Sequence, residues 1–185
     1  MEKVCVFLAD GFEEIEALTV VDMLRRANEE VVMVSIMGRK MVTGSHGISV
    51  QADALYEEMN FAEAKLLVLP GGMPGTKHLG AFRPLTELLV EWNSQEKMIA
   101  AICAAPSVFG DLGLLQGKEA VCYPGFEERL TGAVIGKGAV AVDGNITTSR
   151  GMGTAIDFAA ALIERLQTRE NAEKLKKSII YGLFQ

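Results

Sequence analysis

Short apolar runs rich in β-branched residues alternate with helical periodicity along the whole chain, and that alternation narrows the fold more than any single motif. Lys3–Ala9, Val31–Met37, Lys65–Leu69 and Met98–Cys103 read as strands, the apolar ones without the polar alternation of a half-solvated sheet. Glu14–Asn28 reads as a helix whose apolar face is Ile15, Leu18, Val21, Met23 and Leu24. Pro84–Gln95 is a second, with Leu85, Leu88, Leu89 and Trp92 at helical spacing, and Pro106–Leu115 a third. Further on come a short strand at Ala120–Tyr123, a helical turn at Glu127–Leu130, and strand-like Val134-Ile135, Ala139–Val142 and Ile146–Ser149. Asp143-Gly144 supplies a hairpin turn between the last two. A long helix over Ala155–Leu166 and an amphipathic one over Glu170–Leu183 close the chain. The excursion at Lys40–Asp53, with Gly44-Ser45-His46-Gly47 at its tip, reads as a hairpin. Continuous apolar strands separated by helices predict an α/β fold, a mostly parallel sheet covered on both faces. The length of 185 residues suits one domain spanning 1–185.

Charge removes some function classes. With 18 Lys+Arg against 24 Asp+Glu the net charge is −6, which offers no general grip on nucleic acid or on an anionic membrane surface. No apolar run approaches the length of a membrane helix. Cys5, Cys103 and Cys122 are odd in number and widely spaced, so a disulfide framework is not expected. The start carries no signal-peptide pattern, and the expected setting is a reducing cytoplasm. No Cys/His pair has metal-ligand spacing, and the glycine strings at 132–138 and 151–156 fall short of a P-loop and a dinucleotide fingerprint. Neither a metal nor a cofactor is expected.

In a parallel sheet ligands sit beyond the carboxyl ends of the strands, so the residues following each strand matter most. Cys103 lies where an apolar strand turns directly into a helix, the arrangement of a nucleophile elbow. Ala101 and Ala105 supply the small neighbours that such a turn needs. The N–H of Ala104 would open the helix toward the sulfur, and a thiol there is expected to have a lowered pKa. The same pattern fits a small buried cysteine ending a core strand. Gly71-Gly72, after the third strand, lets a backbone amide approach Cys103 as a second oxyanion donor, or is a plain Pro-Gly-Gly turn. Glu13, Glu14 and Glu16 follow the first strand, where solvated helix-capping charges are the ordinary case. Glu16, however, sits among apolar neighbours, and turned inward it would be desolvated, with a raised pKa suited to proton exchange. His46 and His78 stand in surface-like contexts away from the strand ends.

Together the strings ADGFEEIEALTVVDMLRRA, LLVLPGG, AAICAAP and TTSRGMGTAIDFA, in this order, resemble the DJ-one family of the ThiJ/PfpI superfamily. The resemblance implies a flavodoxin-like three-layer sandwich, akin to class I glutamine amidotransferases, and a homodimer. It implies that Cys103 is the reactive, oxidisable cysteine and that Glu16 is the acid hydrogen-bonded to it, with Gly72 and Ala104 the surrounding amides. The activity implied is cofactor-free conversion of a small carbonyl substrate, methylglyoxal to lactate or deglycation, with redox sensing or chaperoning as the alternative and peptidase or amidotransferase chemistry a weaker one. Gly71, Tyr123, Met152 and His46 are the pocket candidates, His46 through a partner's pocket. The helix face of Val20-Val21-Met23-Leu24 is a candidate dimer surface. Two departures stand out. Tyr123 fills the position before Pro124 where many members of the family have His, so a Cys-His-acid triad is not available there. Met152 replaces the Pro of the usual SRGPGT string, changing the pocket shape or adding an oxidation-sensitive wall.

Overall fold

Side chains along a strand point alternately to opposite faces, and in β1 (Lys3–Leu8) both faces are filled. Val4, Val6 and Leu8 enter one apolar core while Cys5, Phe7 and the following Ala9 enter another, all of them fully buried. This is the three-layer α/β sandwich expected from the continuous apolar strands. The computed structural model describes residues 2–182.

After β1 come α1 (Glu14–Arg26), β2 (Glu30–Ser35), the hairpin β3 (Met41–Thr43) and β4 (Ser49–Gln51), and the short β5 (Ala54–Leu55). The middle of the chain forms β6 (Ala64–Leu69), α2 (Gly75–Ala81), α3 (Arg83–Ser94), β7 (Met98–Ile102) and α4 (Pro106–Asp111). The rest is β8 (Glu119–Ala120), β9 (Val134–Ile135), β10 (Val140–Asp143), β11 (Ile146–Ser149), α5 (Ala155–Leu166) and α6 (Arg169–Ser178). The main sheet runs in the order β10-β11-β7-β6-β1-β2-β5. Every pairing in it is parallel except β10 with β11, the predicted hairpin. β1, β6 and β7 are central, so the residues that follow them share one edge of the sheet.

One core holds α1 and α5, packed on each other and on the Val4, Val68 and Ile102 face. The other holds Leu79, Leu85, Leu89, Trp92 and Phe109 against the Phe7, Leu69 and Ala101 face. Val20, Val21, Met23 and Leu24 belong to the first core and are at most 5% exposed. The reading of that face as a dimer surface is therefore corrected: its partner is α5 of the same chain. Truncating Leu24 to Ala would cost about 2–5 kcal/mol.

Other boundaries differ for local reasons. α2 was not foreseen, because two glycines and a single buried leucine give Gly75–Ala81 little helical signature. Gly75 is there for space: a Cβ on it would lie 2.6 Å from the Phe12 nitrogen. α4 stops at Asp111 rather than Leu115, since Gly113 turns with φ +72°. The last helix ends at Ser178, and Leu183, its expected end, lies outside the described residues. Among the described residues no helix is long and apolar enough to cross a membrane.

Candidate active site

Cys103 occupies the junction of β7 and α4 with φ +66°. This left-handed conformation costs a residue with a Cβ about 1–2 kcal/mol, so it persists only because neighbours hold it. The Cys103 N–H donates to the Ser149 carbonyl at 3.0 Å, and its carbonyl accepts from the Tyr123 N–H at 2.8 Å. Ala101 and Ala105, on either side, are fully buried. The expected elbow is present, and it leaves Cys103 only partly covered.

Glu16 lies in the first turn of α1, yet is 1% exposed. Its Oε2 accepts from the Gly71 N–H at 3.0 Å, and the Met152 N–H and the Cys103 thiol also face the carboxyl. Gly71 is what allows this approach. A Cβ on it would lie 2.5 Å from Cys103 Cβ, 2.6 Å from Glu16 Oε2 and 2.9 Å from Cys103 Sγ. The N–H groups of Gly72 and Ala104 are directed at the sulfur. Gly72 has φ +89°, and a Cβ there would meet the Glu13 nitrogen at 2.3 Å. The two glycines thus divide the work, one amide to the acid and the other to the thiol.

Burial raises the Glu16 pKa to about 7, and the charge of Glu13 adds to the rise against the hydrogen bonds it accepts. The expected lowering of the Cys103 pKa is overturned. Burial first, then the charge of Glu16, push the thiol up to about 12 despite the Gly72 and Ala104 amides. The elbow and its donors are present as expected, but an acid in hydrogen-bond contact outweighs them. Two such groups titrate as a unit, the first proton leaving near 7 and the second near 12. Between those two steps the pair carries one negative charge, and at pH 7 it is part-way through gaining it.

The rest of the acidic cluster is buried too, against the expectation of solvated caps. Glu13 is 9% exposed and caps α1, its Oε2 accepting from the Glu16 N–H at 2.7 Å. Glu14 is 4% exposed and pins the β3–β4 hairpin, accepting from the His46 N–H at 2.8 Å and from Nδ1 of the same residue at 3.0 Å. His46 is thereby held to Glu14, with Ser45 Oγ 3.1 Å away. It makes no hydrogen bond to Cys103 or Glu16 within this chain. His78 likewise turns Nδ1 to the Asp10 carbonyl at 3.0 Å. Ligand atoms of Glu13, Glu14 and His46 lie within 4.8 Å of one another, a grouping that chain spacing alone did not suggest. Tyr123 and Met152 are half-exposed beside the pair. A point at Cβ distance from Gly151 is 3.3 Å from the Tyr123 ring and 3.7 Å from Glu16 Oε1. Ser149 and Gly151 were missed as site neighbours, since only the folded chain brings them to Cys103 and Glu16, while Glu13 was read only as a solvated cap.

A partly buried elbow cysteine sharing a proton with a helix glutamate, at the edge of a three-layer α/β sandwich, defines a recognisable class of protein. The model of the DJ-1/PfpI family matches residues 2–165, and the chain belongs to that family. It is 37% identical over 181 residues to Protein DJ-1 homolog B of Arabidopsis thaliana, covering 97% of this chain but only 41% of that one. A Pyrococcus abyssi protein named a deglycase is 32% identical over 150 residues, covering 80% of this chain and 89% of that one. Among solved structures, oxidized Toxoplasma gondii DJ-1 superposes with a TM-score of 0.94 at 40% identity, covering 98% of this chain and all of that one.

Proposed function

We propose that this chain converts reactive dicarbonyls without a cofactor, methylglyoxal to lactate being the simplest case, with a protective role under carbonyl and oxidative stress. The observation that carries the reading is the Glu16–Cys103 pair, in which a buried carboxyl titrating at about 7 faces the thiol. The deglycase name of the Pyrococcus relative supports the same direction.

The chemistry follows from that pair. Glu16 takes the thiol proton as the Cys103 sulfur bonds to the aldehyde carbon, and the proton passes to the former carbonyl oxygen to give a hemithioacetal. The Gly72 and Ala104 N–H groups, directed at the sulfur, lie beside the oxygen where charge develops. Glu16 then removes the hydrogen from the thiohemiacetal carbon and returns a proton to the neighbouring carbon, while the hydroxyl proton moves to the ketone oxygen, leaving the thioester of the 2-hydroxy acid. Water cleaves the thioester, releasing the 2-hydroxy acid and restoring the thiol. The net reaction adds one water, and no external oxidant is involved. A thiol pKa of about 12 suits this route, because deprotonation is coupled to attack instead of preceding it. Lactate formed from methylglyoxal, and lost in Cys103→Ala, tests the proposal; equal lactate from the variant overturns it.

A redox-sensing role is the second reading. It is favoured by the amides and acid around the sulfur, which would also hold a sulfinate, and by the oxidized state named for the Toxoplasma relative. Mild peroxide should then add two oxygens to Cys103 and spare Cys5 and Cys122, both buried. Peptidase or amidotransferase chemistry is the weaker alternative, since both histidines are bonded elsewhere. The proposal includes a homodimer, which light scattering would separate from a 20.0 kDa monomer.

A further inference from the structure

The rim around the Cys103–Glu16 pair is unexpectedly apolar for a site that handles a three-carbon dicarbonyl. Tyr123 is 51% exposed and its backbone is tied to the nucleophile. Its N–H donates to the Cys103 carbonyl, and its ring comes against the same Gly151 position that lies 3.7 Å from Glu16 Oε1. Met152 is 52% exposed, and its backbone N–H faces the Glu16 carboxyl. Met73, 40% exposed, directly follows Gly72, whose amide is directed at the sulfur. Single exposed apolar side chains are ordinary on a protein surface. Three large ones, each at or next to a residue whose backbone bonds Cys103 or Glu16, are a different matter. Two are thioethers, which adapt to irregular apolar shapes, and one is an aromatic ring suited to stacking.

We propose that Tyr123, Met152 and Met73 form a specificity rim, and that the preferred substrates are 2-oxoaldehydes bearing a bulky apolar or aromatic group on the ketone carbon. This deepens the dicarbonyl reading and rests on it. The reacting aldehyde carbon meets Cys103 and Glu16 while the substituent lies against the rim. The chemistry is unchanged: an arylglyoxal plus one water gives the aryl 2-hydroxy acid, with the hydrogen moving from the aldehyde carbon to the ketone carbon. Methylglyoxal offers the rim one methyl group, whereas phenylglyoxal offers a ring. Partial desolvation of that ring should favour phenylglyoxal about tenfold in kcat/KM.

The test compares phenylglyoxal with methylglyoxal on the whole chain, following mandelate and lactate, with Cys103→Ala as background. The expected ratio of kcat/KM values is about ten in the parent protein. It should fall about threefold or more in Tyr123→Ser and in Met152→Ala, the latter chosen because alanine keeps the N–H that faces Glu16. Circular dichroism establishes that each variant is folded, and a variant that fails is replaced by Tyr123→His or Met152→Gln, which should lower the ratio in the same direction. Turnover of methylglyoxal with a ratio near one, or a ratio that folded variants leave unchanged, overturns the rim while leaving the dicarbonyl reading intact. A rim covered by a second copy of the chain would give that same result. Turnover of neither compound overturns both.

Discussion

Glu14 and Glu16 stand two residues apart on one helix, both almost wholly buried, and their acidities move in opposite directions. For each, burial alone raises the pKa. At Glu14 that rise is outweighed by hydrogen bonds from the His46 ring and from the Glu14, His46 and Ile48 N–H groups, and the pKa falls to about 2. Glu16 keeps fewer donors and has Glu13 as a like-charged neighbour, so its pKa rises to about 7. Burial raises both; the hydrogen bonds outweigh it at Glu14 and do not at Glu16, where the charge of Glu13 adds to it. A permanently ionised group of this kind builds structure; a group poised near neutrality moves protons.

The comparison breaks most plainly at the proton-moving member. Glu16→Gln should lower dicarbonyl turnover by about 10²–10⁴-fold, measured as lactate or mandelate formation. Activity within a few-fold of the parent would remove Glu16 from the chemistry. Gly71→Ala should be nearly as harmful, because its methyl group would meet the sulfur's own Cβ and the carboxylate together. A loss of about 10²-fold in kcat with the fold retained would locate the damage in the pair's geometry. Glu16→Gln should also act on the thiol in the opposite sense. Removing the carboxylate charge lets the thiol pKa fall from about 12, so alkylation of Cys103 by iodoacetamide at pH 8 should speed up severalfold while turnover collapses. A midpoint in the parent near that of free cysteine, about 8.5, would contradict the coupling.

The smaller effects fall on stability. Glu14 is depressed from 4.5, so its contribution is complete above that pH and is lost as the pH drops through about 2. Glu16 is raised, so stability declines as the pH climbs from about 4.5 through 7 and is level beyond. Glu14→Gln should cost about 1–3 kcal/mol at neutral pH and flatten the acid limb of a urea-melt pH series. Glu16→Gln should flatten the neutral limb instead. Identical profiles for the two variants would erase the contrast.

Much of the fold was legible because it is encoded in short-range pattern. Ala155–Leu166 has the predicted helix bounds, and the strand runs ending at Leu8, Leu69 and Ile102 fall within a residue or two of their expected ends. The elbow was readable from small residues flanking Cys103 at a strand–helix junction, and Glu16 from an acid among apolar neighbours. What stayed hidden depends on partners far along the chain. Glu14 takes its role from a hairpin more than thirty residues away, and the thiol's raised pKa depends on Glu16, which the fold carries to it. The α1 face offered as a dimer surface was indistinguishable from core until α5 was seen to cover it. α2 left little trace because Gly75 serves close packing against the Gly11–Phe12 loop at the cost of helix propensity.

The left-handed backbone at Cys103 has a consequence for how this position tolerates change. Any side chain there pays a conformational toll that glycine escapes, so of two inactivated proteins, Cys103→Gly should melt above Cys103→Ala despite glycine's looser unfolded chain. Stability alone would favour the bare residue at position 103, and the sulfur is carried there at a conformational cost.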